Sequence, residues 1–508
     1  MSSWRACPSA NNRGAFWLLL GLLVTLSFGA RIKPVVAADS KNDGTVQRAA
    51  EFSLRRAHVM ERMGQGMALL ISGEPKNFSN DVDYPFRQEN NLYYLTGVNQ
   101  KGVTLVLMPG NREQKEILFL PKREPSQEIW TGHMLSAEEA ERRSGIKQIW
   151  EATELEAFLD ATLTSHRYEK RSFSWDAPRP AESSAKDSLE VWLLLARGSS
   201  AVAQFQREKA FGDTLSTRYP RLRKKDLLPI FSELRMIKSS YELTQLRTAI
   251  NLTADAHRDI MARVKPQMNE SELDGLIHAT YRRGGAQWGF PSIVASGPNA
   301  TTLHYEDNSR QMQDGDLALI DIGAEVDHYS AEVTRTIPVN GRFTPEQRTI
   351  YEIVLRAQDA GFQVAKPGAT IRSVHNAALG VLKAELLRIG LVTDTTSTQY
   401  RLWFMHGTSH WLGLDVHDLG VRDAPFQPGM VLTVEPGLYI REDALDYLEK
   451  TPENDAFVAA VRPAFERYKT IGVRIEDDIL ITESGYEALS ISVPRTVDEI
   501  EALMRQRP

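Results

Sequence analysis

The sequence predicts a mixed α/β (α+β) chain with two folded domains, and three observations predict it. Apolar strand-like runs alternate with amphipathic helical patterns across residues 51–230. Residues 231–508 begin with long, well-capped helical patterns. The end of the chain is rich in strands, several of which carry an acid inside an otherwise apolar run. At 508 residues the chain has room for two or three domains and an ample core. It is 42% hydrophobic and 25% charged, an ordinary globular balance. A net charge of −6 and the lack of a basic stripe argue against a nucleic-acid binder.

The N-terminus reads as an address. Arg5 and Arg13 precede the apolar run Ala15–Phe28, and Val36 and Ala38 form an acceptable cleavage pattern. Residues 1–38 are therefore expected to be a secretory signal peptide. The run is short for a membrane span; the alternative is an uncleaved anchor, which the long spacer with Arg31, Lys33 and Pro34 keeps open. Cleavage after Ala38 removes four basic residues and no acidic one, taking the charge from −6 to −10. It also removes Cys7, the only cysteine, and with it any disulfide, thiol nucleophile or cysteine-based zinc site. The expectation is an exported protein, periplasmic or secreted, with no stable membrane span.

The elements follow in order. Residues 39–50, polar around Ser40–Gln47, read as a flexible joint, and a helical pattern occupies Phe52–Met63. MALLIS, NLYYLTGV, VTLVLMP and EILFLP, starting at Met67, Asn91, Val103 and Glu116, read as strands. Helical patterns at Ser136–Ser144 and Ala152–Ser165 alternate with them, and Asp176–Ser184 reads as a loop. Leu227–Ser239 looks like the crossing into the second domain. A long helix is expected from Tyr241 to about Val264, and another over Glu270–Arg283 capped by Asn269. A strand–turn–strand block spans 292–339. Thr344-Pro345-Glu346-Gln347 is a capping box with proline at the first helical position, and a further helix covers Ile371–Leu391.

The chemistry gathers in five residues spread over the second domain: Asp321, Glu332, His410, Glu435 and Glu476. Acids inside strands this apolar would repel one another and lose hydration, so something positive should offset them. Two divalent cations do so economically, and an oxygen-rich set with one imidazole suits Mn²⁺-like ions. Three histidines, His406, His410 and His417, crowd one loop, and His304 stands in another. Those that do not bind metal can shuttle protons or donate to a developing oxyanion. No HExxH, GxSxG, P-loop or GxGxxG motif is present.

The stretches GDLALIDIGAEVDHYSAEVTRTIPVNGRFTPEQRTIYEIVL, FMHGTSHWLGLDVHDLG, PGMVLTVEPGLYI and GVRIEDDILIT resemble the pita-bread metallopeptidases, above all aminopeptidase P (Xaa-Pro aminopeptidase). The segment from EFSLRRAHVMERM to YPFRQENNLYYLTGV resembles the smaller, creatinase-like α/β domain that precedes the catalytic one in that family. The resemblance spans roughly 50–490, and implies a pita-bread catalytic domain over 231–508. It implies that Asp321 binds one metal, that Glu332 and Glu476 bridge both, and that His410 and Glu435 complete the other. Glu435 would handle the proton, His417 would stabilise the oxyanion, and His304 would assist from the facing loop. His406 would border the proline pocket and Arg474 would support Glu476. Two ions, with Mn²⁺ usual in the family, and peptide substrates with proline at the second position complete the implied picture. Relatives are often dimers or tetramers, and YPFRQENNLYYLTG is the candidate segment for reaching a neighbour's cleft.

Two departures stand out. The family has Asp where this chain has Glu332, and Ala331 replaces a Gly. The added methylene gives roughly 1.5 Å more reach, where a bridging carboxylate has little slack. The strand could retreat and keep both ions, one ion could bind weakly, or the chain could be an inactive peptide-binding scaffold. Asp327 is a poor substitute ligand because it falls in the turn between strands. The second departure is a charged, helical insertion between Tyr439 and Ile471, which could overhang the site or lie on the surface. A prolidase-type dipeptidase is the near alternative. A metal-free creatinase-like pocket is disfavoured by the acids at 321, 435 and 476.

Overall fold

The computed structural model describes residues 40–111, 114–164, 168–171, 190–195 and 203–506. The leader 1–38 with Cys7, and the loop Asp176–Ser184, lie outside the described residues.

Strict alternation in the first domain builds a sheet buried on both faces. Met67 and Leu69 point into one apolar cluster, Ala68 and Leu70 into another. The six-stranded mixed sheet has the order Ile149–Glu151, Glu116–Leu120, Thr104–Leu107, Met67–Ile71, Glu190–Leu193, Arg223–Asp226. Its middle three strands are antiparallel and its outer pairings parallel. Helices Ala137–Ser144 and Leu155–Leu163 alternate with the strands as expected.

Two expectations are corrected. NLYYLTGV is not a strand but lies mostly in a helix, Asn90–Thr96. Glu89 accepts the Leu92 N–H at 2.7 Å, and Gly97 closes the helix at φ 63°. All seven residues are buried, so no polar face marks the helical period. A Cβ at Gly97 would lie 2.3 Å from the Phe52 ring, so only glycine ends the helix there. The polar joint is the second correction: helix Ser40–Met63 begins twelve residues before Phe52. The stretch has no proline to stop it, and neither its polarity nor one glycine prevents helix formation.

In the second domain the capping signals hold. Asn269 and Thr344 cap helices Glu270–Arg283 and Pro345–Val364 as expected, and Ser239 also caps Ser240–Arg263, each through a capping box. Ile371–Arg388 follows. The strands form small antiparallel sheets. One is Ile293–Ser296, Leu317–Ile322, Val333–Pro338; another is Val431–Val434, Asp477–Ile481, Tyr486–Ala488; a third pairs Gly437–Tyr439 with Gly472–Arg474. The insertion carries helix Pro452–Tyr468, which buries Phe457, Val461, Phe465 and Tyr468. Arg467 pairs with Glu346, docking that helix near the start of helix Pro345–Val364. Among the described residues no helix is long and apolar enough to cross a membrane.

Arg335 sews the sheets together. Its fully buried guanidinium donates to Asp477 Oδ1 at 2.7 Å, to the Glu476 carbonyl at 2.6 Å and to the Pro494 carbonyl at 2.9 Å. The two domains are clamped at the turn that holds Asp327, where φ is 52°. Arg48, Tyr93 and Tyr241 all donate to its carboxylate. Arg335→Leu is expected to lower the unfolding free energy by about 3–5 kcal/mol, because it leaves a buried Asp477 without its cation. Urea denaturation followed by circular dichroism checks this; an unchanged midpoint would show that the sheets hold without that guanidinium.

Candidate metal centre

Strand register decides which acids meet. Asp321 sits inside Leu317–Ile322, directly opposite Thr334 and Ile293. Glu332 immediately precedes Val333–Pro338, Glu435 follows Val431–Val434, and Glu476 lies in the break between Gly472–Arg474 and Asp477–Ile481. The Glu476 N–H donates to the Thr334 carbonyl at 3.1 Å, and the Arg474 carbonyl accepts from Thr336 Oγ1 at 3.0 Å. These bonds bring the Glu476 segment alongside the Asp321 sheet. The loop Thr408–Trp411 runs beside Val431–Val434, with the Thr433 N–H on the His410 carbonyl at 3.0 Å and the Glu435 N–H on the Thr408 carbonyl at 2.8 Å.

The five candidate ligands and His417 thereby form three overlapping groups: Asp321, Glu332 and Glu476; His410, Glu435 and Glu476; Glu332, His410 and His417. Within each group one donor atom per residue lies within 4.8 Å of the others. Asp321, Glu332 and Glu476 are buried, with exposures of 4%, 7% and 0%. Burial, followed by the neighbouring acids, holds Glu332 and Glu476 well above the ordinary carboxylate range. Glu435 is also raised, mainly by burial. Asp321 Oδ1 and Glu476 Oε1 are buried without a hydrogen-bond partner among the described residues. Unpartnered, mutually repelling oxygens gathered this closely fit divalent cations, which favour the ionised acids and satisfy the orphaned lone pairs.

The remaining candidates surround this cluster. Arg474 supports Glu476 through its charge alone: its ion pair is with Asp321 Oδ2, at 2.5 Å, and its Nη1 donates to Tyr439 Oη at 2.9 Å. Glu476 is instead oriented by Thr334 Oγ1, which donates to its Oε2 at 2.7 Å. Alternation placed Arg474 and Glu476 on one face but says nothing of which cross-sheet neighbour the long guanidinium reaches. His406 Nε2 lies 2.8 Å from Tyr439 Oη, its Nδ1 lies 3.7 Å from Glu435 Oε2, and its ring lies 4.9 Å from Phe404. Burial pushes its pKa down to about 3. His417 is exposed, and desolvation with nearby His410 lowers it to about 4. His304 is exposed too, and stands near enough to both His406 and His417 to interact with them electrostatically.

Thr334, Tyr439 and Asp478 escaped the sequence reading. Asp478 is buried, accepts the Glu332 N–H at 3.3 Å, and burial raises it well above the ordinary range. The doublet Asp477-Asp478 inside an apolar strand was the signal for it; Thr and Tyr are ordinary strand formers and gave none. Gly323 lets the chain pass close to residue 331: a Cβ there would lie 1.8 Å from the Ala331 backbone carbonyl oxygen. Arg87 and Asn90, in the segment expected to reach a neighbour, hold their own chain: Arg87 pairs with Glu325 at 2.8 Å, and Asn90 donates to Asp415 Oδ1 at 2.6 Å.

A buried cluster of acids with an imidazole at its edge, set between antiparallel sheets, is the arrangement of a metal-dependent hydrolase. Residues 244–483 match the model for metallopeptidase family M24, and residues 52–190 that for the aminopeptidase P N-terminal domain. The chain is 36% identical over 479 residues to Xaa-Pro aminopeptidase of Escherichia coli strain K12, covering 89% of this chain and 97% of the relative. It superposes on Pseudomonas aeruginosa aminopeptidase PepP with a TM-score of 0.75 at 32% identity, covering 90% of this chain and 98% of the other. Zinc-substituted Escherichia coli aminopeptidase P in complex with product gives 0.74 at 35% identity, with 90% and 98% coverage. The chain belongs to metallopeptidase family M24, and its homologues within that family are Xaa-Pro aminopeptidases. The expected fold, a pita-bread domain behind a smaller α/β domain, is borne out.

The raised acids give the metal-free protein a characteristic pH dependence. Their folded pKa values lie above the ordinary 4.5 of a glutamate, so from there upward the folded state binds more protons than the unfolded one. Their contribution is most favourable below that value and weakens as pH rises towards neutrality. A bound cation favours the ionised acids and removes the penalty. The melting temperature of chelator-stripped protein, followed by differential scanning fluorimetry from pH 5 to 8, is expected to fall increasingly below that of Mn²⁺-loaded protein. Parallel curves would contradict this electrostatic picture.

Proposed function

We propose that this chain is an exported, metal-dependent Xaa-Pro aminopeptidase, releasing the residue that precedes proline at a peptide N-terminus. The observation that carries it is the convergence of Asp321, Glu332, His410, Glu435 and Glu476 in overlapping ligand groups with orphaned oxygens. These five would hold two divalent ions, and the oxygen-rich set with one imidazole favours Mn²⁺. When bound, the ions supply Lewis-acid polarisation and an acidified water.

The chain's own residues supply the rest. Glu435, its proton affinity raised by burial, takes a proton from the attacking water at Oε and passes it to the departing proline nitrogen. His417 and His304 stand at the exposed side of the cluster and donate N–H groups towards the carbonyl oxygen. His417 is neutral near pH 7, so it donates without adding charge. His406, held by Tyr439 and flanked by Phe404, offers a ring surface for the proline. Arg474 anchors Asp321 against the repulsion of its neighbours.

The leader reading supports export, and the family resemblance of the sequence is the ground for expecting a dimer or tetramer, which light scattering of the purified protein tests. The mature chain with Mn²⁺ is expected to cleave an Xaa-Pro-Yaa tripeptide and to lose that activity with a chelator. Glu435→Gln is expected to lower kcat by roughly 10²–10⁴-fold. Turnover of Xaa-Pro dipeptides alone would reassign the chain as a prolidase. No turnover of any Xaa-Pro peptide at saturating Mn²⁺ would leave a peptide-binding scaffold.

A further inference from the structure

The His410 ring nitrogens have distinct duties. Nδ1 lies 3.0 Å from the Trp411 carbonyl oxygen. A carbonyl only accepts, so Nδ1 carries the hydrogen. In the neutral ring, Nε2 is left with a bare lone pair, yet it faces Glu332 Oε2 at 2.9 Å and Glu435 Oε1 at 3.4 Å. Lone pairs converging in this way are reconciled by a proton on Glu332 or, once the acids ionise, by a cation placed among them. The His410 donor belongs to one group with Glu435 and Glu476, and to a second with Glu332 and His417. The second group is not made of acids alone, and its Glu332 is a deeply buried side chain. The His417 ring stands 4.5 Å from His410, nearly perpendicular at 82°.

Position 332 explains why His417 joins. The backbone there is pinned: the Ala331 N–H donates to the Ala324 carbonyl at 3.0 Å, the Glu332 N–H to Asp478 at 3.3 Å, and Val333 pairs with Ile322. A side chain one methylene longer than Asp therefore spends its extra reach of roughly 1.5 Å away from the strand. Its oxygens span from Asp321 and Glu476 to the two histidines. Donor atoms within 4.8 Å of one another are close enough to share one ion of ordinary bond length after small rotations.

We propose that in this chain His417 is itself a metal ligand, completing with Glu332 and His410 the coordination of one of the two ions. This rests on the dinuclear reading above. As a ligand, His417 is withdrawn from the substrate oxyanion in the resting protein, and peptide binding displaces it. Because the ring is exposed, that exchange needs no opening of the core. Glu332 thereby couples the choice of bridging acid to the availability of the oxyanion donor.

The test is a double-mutant cycle on the mature full-length chain: native, His417→Ala, Glu332→Asp, and both together. Stripped protein is titrated with Co²⁺, reading stepwise affinities by calorimetry and coordination by visible absorption; circular dichroism checks folding. In the native background, His417→Ala is expected to weaken one of the two Co²⁺ sites roughly tenfold or more and to change its absorption bands. In the Glu332→Asp background the same replacement is expected to change affinity less than about twofold. Equal effects in both backgrounds, or no effect in the native one, would overturn the proposal. Absence of Co²⁺ binding in every variant, native included, would instead overturn the dinuclear reading.

Discussion

Buried like charge is the constraint on which the rest of this structure depends. Asp321, Glu332 and Glu476 lie within one ligand-sized volume and are nearly shielded from water. Asp478 adds a fourth buried acid behind Glu332. Two unit charges at such separations repel by several kcal/mol even at an effective dielectric near 20. Arg474 answers one of them directly, through Asp321. Arg335 is committed to Asp477 and to backbone carbonyls, so it braces the sheets rather than neutralising the cluster. Without cations burial lets these acids hold protons to higher pH than free carboxylates do. Metal binding and folding of this domain are therefore linked through the same acids.

The fold was readable where local rules apply. The caps at Asn269 and Thr344 are bonds between a side chain and backbone two or three residues away, so a short window contains them. Met67–Ile71 and Thr104–Leu107 declare themselves by apolar runs of strand length. Asn90–Thr96 did not, because a short helix buried on all sides has no polar stripe. The acids were conspicuous because each interrupts an apolar strand. Their partners were not. Thr334 orients Glu476 and Tyr439 steadies both His406 and Arg474, roles fixed by packing between sheets, which no one-strand pattern reports. The reach of Arg474 to Asp321 is of the same kind, since a long side chain chooses a partner across the sheet and not along it.

The first domain takes part in shaping the site. The loop bearing His410 and His417 also carries Asp415 and Asp418. Asp418 is shared by the buried cations Arg235 and Lys238, and Arg235 also holds Asp415 at 2.7 Å and Asn91 Oδ1 at 2.8 Å. Arg87 donates to the Leu414 carbonyl at 2.9 Å, and Asn90 reaches Asp415. These bonds fix the backbone on either side of Val416 and His417 from two directions. Cutting this network would do more than loosen a loop. It would leave two cations buried against a displaced acid, a penalty that outweighs the gain from any single surface ion pair. The loop is therefore held by electrostatics it cannot shed, while the His417 ring itself stays at the surface. A rigid backbone under an exposed ring is what a ligand or donor that must change partners during a reaction requires: the ring turns, and the position from which it turns does not.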